Sequence, residues 1–141
     1  MKIPLLLLAL VLFTPSGGFS QNVKELTLKS FGVYEGETVM GRAGGPMRKS
    51  TLKRETDVIG KDDWKNRFGI TYMLSGDPGA HAVCKELVYR NGALSASVRT
   101  YRETNVEYDA LLQYNPVYDK RELTIVVDCE GKKITKTFTL K

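Results

Sequence analysis

The chain has 141 residues, a formal net charge of +5 and 26% charged residues. A nucleic-acid-binding domain usually gathers its basic residues into one patch, whereas the densest basic stretch here, Arg48–Arg54, alternates with hydroxyl and apolar residues. We therefore expect no nucleic-acid partner.

The first 20 residues have the layout of a secretory signal peptide. One lysine precedes an apolar run, Leu5–Phe13, and the small residues Gly18 and Ser20 follow it. A membrane-spanning helix needs about 20 apolar residues, so this run predicts a cleaved signal rather than a membrane span. We expect residues 21–141 to be a single domain, soluble after cleavage and exported to the periplasm or the extracellular medium.

From Leu26 onward, apolar residues recur at alternate positions between turn-forming residues, which is the periodicity of β-strands. The first strand changes parity between Leu28 and Phe31, so we predict a β-bulge near Lys29 and Ser30 that keeps both side chains on the core side. The further predicted strands are Ser50–Ile59, Phe68–Ser75, Ala82–Arg90, Leu94–Arg102 and a terminal hairpin that begins at Leu123.

The number and spacing of these strands predict the fold class. Many short strands separated by turns in one domain are typical of an all-β, antiparallel, immunoglobulin-like sandwich, here of seven to eight strands. A small closed β-barrel is the alternative, because it has a similar strand pattern.

Cys84 and Cys129 are the two cysteines of the chain. An exported protein with two cysteines is expected to join them in one disulfide. Two alternatives remain open at this point: two buried free thiols, or a reactive Cys84 that works with the single histidine, His81.

Several segments resemble a family of uncharacterised bacterial exported β domains, a domain of unknown function. The similar segments are Ser30–Thr38, Arg54–Ile59, Arg67–Tyr72 with the following glycine-proline turn, Leu123–Cys129, Gly131 and Lys133–Leu140. The resemblance covers most of residues 21–141 and departs from the family pattern between Leu87 and Asn115. It implies an exported β domain and lends no activity.

The residue types give no support for catalysis or metal binding. One histidine and two paired cysteines cannot supply a zinc site. The acidic neighbours Glu35 and Glu37 lie two apart on one strand, and such a pair does not enclose a sugar as the two carboxylates of a glycosidase do. We therefore predict that the protein is not an enzyme and has no metal or cofactor.

Aromatic and cationic residues are concentrated on two consecutive predicted strands. They are Tyr89, Arg90, Arg99, Tyr101 and Arg102. Tyrosine and arginine are enriched at protein interfaces. We predict a non-catalytic binding module of the cell envelope, with an unknown envelope protein or polysaccharide as its partner. A lipocalin-like carrier of a small apolar ligand is the alternative, and a secreted hydrolase is the function that the residues support least.

Overall fold

The computed structural model describes residues 22–40, 44–114 and 121–141. The predicted signal peptide, residues 1–20, lies outside them. The described strands are β1 (Val23–Met40), β2 (Pro46–Arg54), β3 (Val58–Ile59), β4 (Arg67–Gly76), β5 (His81–Arg90), β6 (Ala93–Glu103), β7 (Glu107–Gln113), β8 (Glu122–Cys129) and β9 (Lys132–Leu140). One 3₁₀ turn, Lys61–Asp63, separates β3 from β4.

The strands form two sheets, in the orders β2-β1-β4-β7 and β3-β9-β8-β5-β6. All neighbouring strands are antiparallel except β3 and β9. The predicted antiparallel sandwich is confirmed, and the fold is not a closed barrel. The described chain has nine strands because the predicted strand Ser50–Ile59 is divided between β2 and β3, and because β7 is an addition to the predicted set.

A β-bulge in β1 keeps its apolar residues on one face. Leu28 pairs with Tyr72 and Ser30 pairs with Thr71, so Lys29 is the extra residue of β1. Without this shift, Phe31 would point away from the core while Leu28 pointed toward it. Both instead pack against the core, which confirms the predicted bulge.

The core lies between β4 of one sheet and β8 of the other. Its fully buried side chains include Phe68, Ile70, Tyr72, Leu74, Leu123, Ile125, Val127 and Phe138. Phe68 meets Phe138 edge-on across the sheets, with ring centroids 5.3 Å apart. Burial of each large apolar side chain stabilises the fold by about 1.5–3 kcal/mol. Because the two sheets do not close into a barrel, the fold gives no support to the lipocalin-like carrier, which holds its ligand inside one.

Cys84 and Cys129 are directly opposite each other on β5 and β8 and form a disulfide, with their Cα atoms 4.1 Å apart. Both are fully buried. The predicted disulfide is confirmed, and a thiolate paired with His81 is therefore not available.

Two glycines in the four-stranded sheet have backbone conformations that other residues rarely adopt. Gly32 and Gly69 are opposite each other on β1 and β4, with φ angles of +144° and +157°. A Cβ on Gly69 would lie 2.0 Å from the carbonyl oxygen of Ala110 on β7. Only glycine fits this backbone, and glycine kinks allow a sheet to curve. Beyond Tyr34, β1 continues with β2 alone as a two-stranded ribbon.

Candidate interaction surface

The pairing of β5 with β6 determines which predicted residues share a face. Arg99 lies opposite Lys85, and Arg102 lies opposite Ala82. Ala82 is buried in the core. Side chains alternate between the two faces of a sheet, so Arg102 lies on the core side whereas Arg99 and Tyr101 point to solvent.

The outward side chains of β5 and β6 form an aromatic and basic surface. The rings of His81 and Tyr101 are stacked, with centroids 4.8 Å apart and an angle of 3° between their planes. Tyr101 is 69% exposed, the second most exposed of the large hydrophobic side chains described. Lys85 and Arg99 are neighbours on the same surface. We refer to His81, Lys85, Arg99 and Tyr101 as the aromatic–basic face.

Lys85 and Arg99 carry like charges at directly opposed positions. Like charges in this arrangement destabilise a sheet. Among the described residues, neither side chain forms an ion pair with a carboxylate. Asp128 lies opposite Lys85 on β8, but its carboxylate accepts a hydrogen bond from the Gly131 N–H at 3.0 Å and lies 3.9 Å from Lys133 Nζ. The positive charge of the face is therefore available to an anionic group.

A shallow groove of about 380 Å³ runs along this surface. Its walls are formed by Val83, Lys85, Arg99, Asp128, Glu130 and Gly131. The cationic side chains lie on the β5–β6 side of the groove and the carboxylates lie on the β8 side. This separation of charge would orient a bound polar segment.

Tyr89 and Arg90 lie at the other end of β5. Tyr89 pairs with Leu94 and Arg90 with Ala93, and both side chains are half-buried. Leu94 is five residues from Arg99 on β6, a separation of about 17 Å at about 3.4 Å per residue. The structure therefore does not bring Tyr89 and Arg90 together with the aromatic–basic face.

Arg102 belongs to a polar cluster at the margin of the core. Its Nη2 donates to Glu86 Oε1 at 2.9 Å and its Nε donates to the Tyr72 hydroxyl at 3.1 Å. The guanidinium carbon lies 4.3 Å from the centroid of the Tyr108 ring. Tyr72 in turn donates to Glu86 Oε1 at 2.7 Å. The cluster ties β4, β5, β6 and β7 together, which is a structural role.

Protonation in this cluster is shifted toward a neutral tyrosine. Burial raises the pKa of Tyr72, and the hydrogen bond to the Glu86 carboxylate and its negative charge raise it further. For Arg102, burial alone would lower the pKa, but the hydrogen bonds to Glu86 and Tyr72 outweigh burial and raise it. Tyr72 therefore acts as a hydrogen-bond donor, and Arg102 stays charged.

Within the described residues, no group of three or more histidine, cysteine, aspartate and glutamate side chains is placed to hold a metal ion. The same part of the chain contains no helix that is long and apolar enough to cross a membrane.

The sequence prediction missed His81 and Lys85 as members of the surface. Both lie at odd-numbered positions of β5, like Arg99 and Tyr101 on β6. Alternation along β5 places them on one face of that strand, but only the register between β5 and β6 shows that they face the same way as Arg99 and Tyr101.

Comparison with solved structures shows the fold. The chain is similar to an immunoglobulin-like protein from Pseudomonas aeruginosa, with a TM-score of 0.55, 14% identity, and coverage of 86% of this chain and 100% of that one. No family model and no curated protein matches the chain. The predicted immunoglobulin-like sandwich is confirmed, whereas the resemblance to exported bacterial domains stays a prediction.

Proposed function

We propose that this protein is an exported, non-catalytic interaction module of the cell envelope, whose aromatic–basic face binds an acidic segment of an envelope protein. The observation that carries the proposal is the exposed Tyr101 ring, stacked on His81 beside the like-charged pair Lys85 and Arg99.

The chemistry of this face favours an anionic partner. A carboxylate that docked between Lys85 and Arg99 would relieve their mutual repulsion and form charge-assisted hydrogen bonds. Because the Tyr101 ring is already stacked, it would lose little conformational freedom on binding, and interfaces gain affinity from such ordered aromatic side chains. Recognition would therefore combine one aromatic contact with one or two ion pairs.

The disulfide supports the proposed compartment. Cys84 and Cys129 are bonded in the core, and disulfides form and persist in the periplasm and outside the cell rather than in the cytosol.

The proposal is tested by co-purification from an envelope extract. The full-length chain is expressed so that the host can process it, and the double variant Arg99→Ala/Tyr101→Ala is expected to lose a partner that the wild type retains. The matched control is Trp64→Ala/Lys65→Ala, because Trp64 is also an exposed aromatic residue with a cation beside its ring. This control should retain the partner.

Two outcomes would contradict the proposal. Retention of the partner by Arg99→Ala/Tyr101→Ala would remove this face from consideration. Binding that survives protease digestion of the extract would identify a polysaccharide instead of a protein. For an acidic protein partner, we expect binding to weaken as salt rises.

A further inference from the structure

The sheets of the described residues have exposed edges at β2, β7, β6 and the β9–β3 side. Proteins commonly place charges, especially lysine, on such edges to prevent pairing with another chain. Three of these edges follow that rule. Their charged residues are Arg48, Lys49, Lys53 and Arg54 on β2, Glu107 and Asp109 on β7, and Lys132, Lys133 and Lys136 on β9.

The edge at β6 is different. Its first six residues, Ala93–Val98, carry no charge, and its charged residues, Arg99, Arg102 and Glu103, all lie in the second half. Val98 is 54% exposed although it points to the core side of the sheet. Between the bulge at Ser95 and Arg99 this edge is regular, uncharged and exposed, which makes it a site for pairing with another strand.

An apolar cleft lies below this edge. It has a volume of about 160 Å³. Its lining is Glu86, Val88, Ala96, Val98, Ala110, Leu111, Leu112 and Ile125. A strand added beside β6 would place its own core-side residues over the opening between β6 and β7. Pairing at this edge would therefore also cover apolar surface.

The backbone of β6 fixes how an added strand would pair. The short Cα–Cα distance of 4.1 Å between Cys84 and Cys129 is that of a non-hydrogen-bonded pair. The backbone N–H and C=O groups of Cys84 thus point away from β8 and toward Thr100 on β6. From Thr100, the direction of these groups alternates from residue to residue along β6. The backbone N–H and C=O groups of Val98 therefore form hydrogen bonds with β5. The backbone groups that point outward from the edge belong to its neighbours Ser97 and Arg99.

We propose that β6 pairs antiparallel with β6 of a second copy of this chain, about a two-fold axis at Val98. In this register Ala96 to Thr100 of the two strands pair without interruption, because the bulge at Ser95 lies outside this stretch. Arg99 lies opposite the uncharged Ser97, and Thr100 lies opposite Ala96. The two Arg99 side chains are only diagonal neighbours, about 7–8 Å apart. A two-fold axis at Arg99 would instead oppose the two arginines directly.

The first test is the oligomeric state of the purified protein, with no partner added, by analytical ultracentrifugation. We expect the wild type to dimerise in a concentration-dependent manner. Val98→Lys would oppose two ammonium groups at the two-fold axis and should raise the dimer dissociation constant by about 100-fold or more. The matched control Met47→Lys, at a residue that is also 54% exposed but lies on β2, should dimerise as the wild type does.

The second test does not depend on the folding of Val98→Lys. Opposed Cβ atoms in a non-hydrogen-bonded pair are close enough for a disulfide after small adjustments. Val98→Cys should therefore form a covalent dimer under mild oxidation, much faster than the control Met47→Cys, since Cys84 and Cys129 are already bonded to each other.

A wild-type protein that sediments only as a monomer would overturn the proposal. Equal dimerisation of Val98→Lys and Met47→Lys, or equal cross-linking of the two cysteine variants, would also overturn it. If the wild type is a monomer and retains an envelope partner that Val98→Lys loses, the β6 edge binds a different protein and not a second copy. None of these results depends on the binding of a partner to the aromatic–basic face.

Discussion

Replacement of Arg102 by alanine tests the interior position that the structure assigns to this residue. The change removes an ion pair with Glu86, a hydrogen bond to Tyr72 and a contact with the Tyr108 ring. Loss of one partner from a fully buried ion pair costs about 3–5 kcal/mol. Here Arg102 and Glu86 keep 22% and 16% side-chain exposure, and Tyr72 still donates to Glu86. We therefore expect Arg102→Ala to lower the free energy of unfolding by about 2–3 kcal/mol.

The assay is equilibrium denaturation in urea, followed by far-UV circular dichroism. The control is Arg99→Ala, because Arg99 is exposed and forms no ion pair among the described residues. Its effect should stay within about 0.5 kcal/mol. A further change of Glu86 to Gln in the Arg102→Ala background should restore part of the lost stability, since it removes the uncompensated charge. If Arg102→Ala and Arg99→Ala changed the free energy of unfolding by equal, small amounts, the Arg102 side chain would be exposed to solvent and the cluster would be refuted.

Three more predictions concern the core. Cys84→Ala/Cys129→Ala opens a cross-link with a sequence separation of 45 residues, and denaturation should show a loss of about 4 kcal/mol; an unchanged midpoint would contradict this. Because burial raises the pKa of Tyr72, the folded protein holds its phenolic proton where the unfolded chain releases it. The free energy of unfolding should therefore fall as pH rises above about 10. In thermal melts the slope of this fall should be smaller for Tyr72→Phe, by an amount that corresponds to at most one proton. Equal slopes for the two proteins would exclude Tyr72 as the source. Gly69→Ala places a Cβ against the Ala110 carbonyl at a φ of +157°, so denaturation should show a loss of about 3 kcal/mol or more. Gly45→Ala, with nothing within 4 Å, should be nearly neutral.

The parts of the fold that the sequence predicts well are those that one strand determines by itself. Alternation along β4 and β8 identifies the core-facing residues without knowledge of their partners, and all of those on β4 are fully buried. The bulge at Lys29 is predictable for the same reason, since the parity change between Leu28 and Phe31 is visible within β1.

The parts that the sequence does not predict depend on neighbouring strands. Glu107–Gln113 has no β-branched residue and two acidic residues, so its intrinsic strand preference is weak. It becomes β7 because Tyr108, Ala110 and Leu112 pair against β4 and cover the core. The two-residue strand Val58–Ile59 likewise exists only through its parallel pairing with the end of β9.

The register of β5 and β6 shows how a single residue determines the candidate surface. The turn at Asn91 and Gly92, with φ angles of 50° and 83°, is the two-residue type that begins a hairpin by pairing Arg90 with Ala93. This signal is present in the sequence. The pairing then shifts by one between Val88 and Tyr89, which leaves Ser95 as an extra residue of β6.

That extra residue decides which side chains of β6 face solvent. If the hairpin continued without the shift, Arg99 would lie opposite Cys84 on the buried side, and Arg102 would point to solvent. With Ser95 inserted, Arg99 lies opposite Lys85 and Arg102 reaches the interior. The aromatic–basic face and the half-buried ion pair of Arg102 with Glu86 therefore depend on the same bulge. Sequence alternation places the two arginines on opposite faces, because they are three residues apart, but only the register with β5 shows which of them faces solvent.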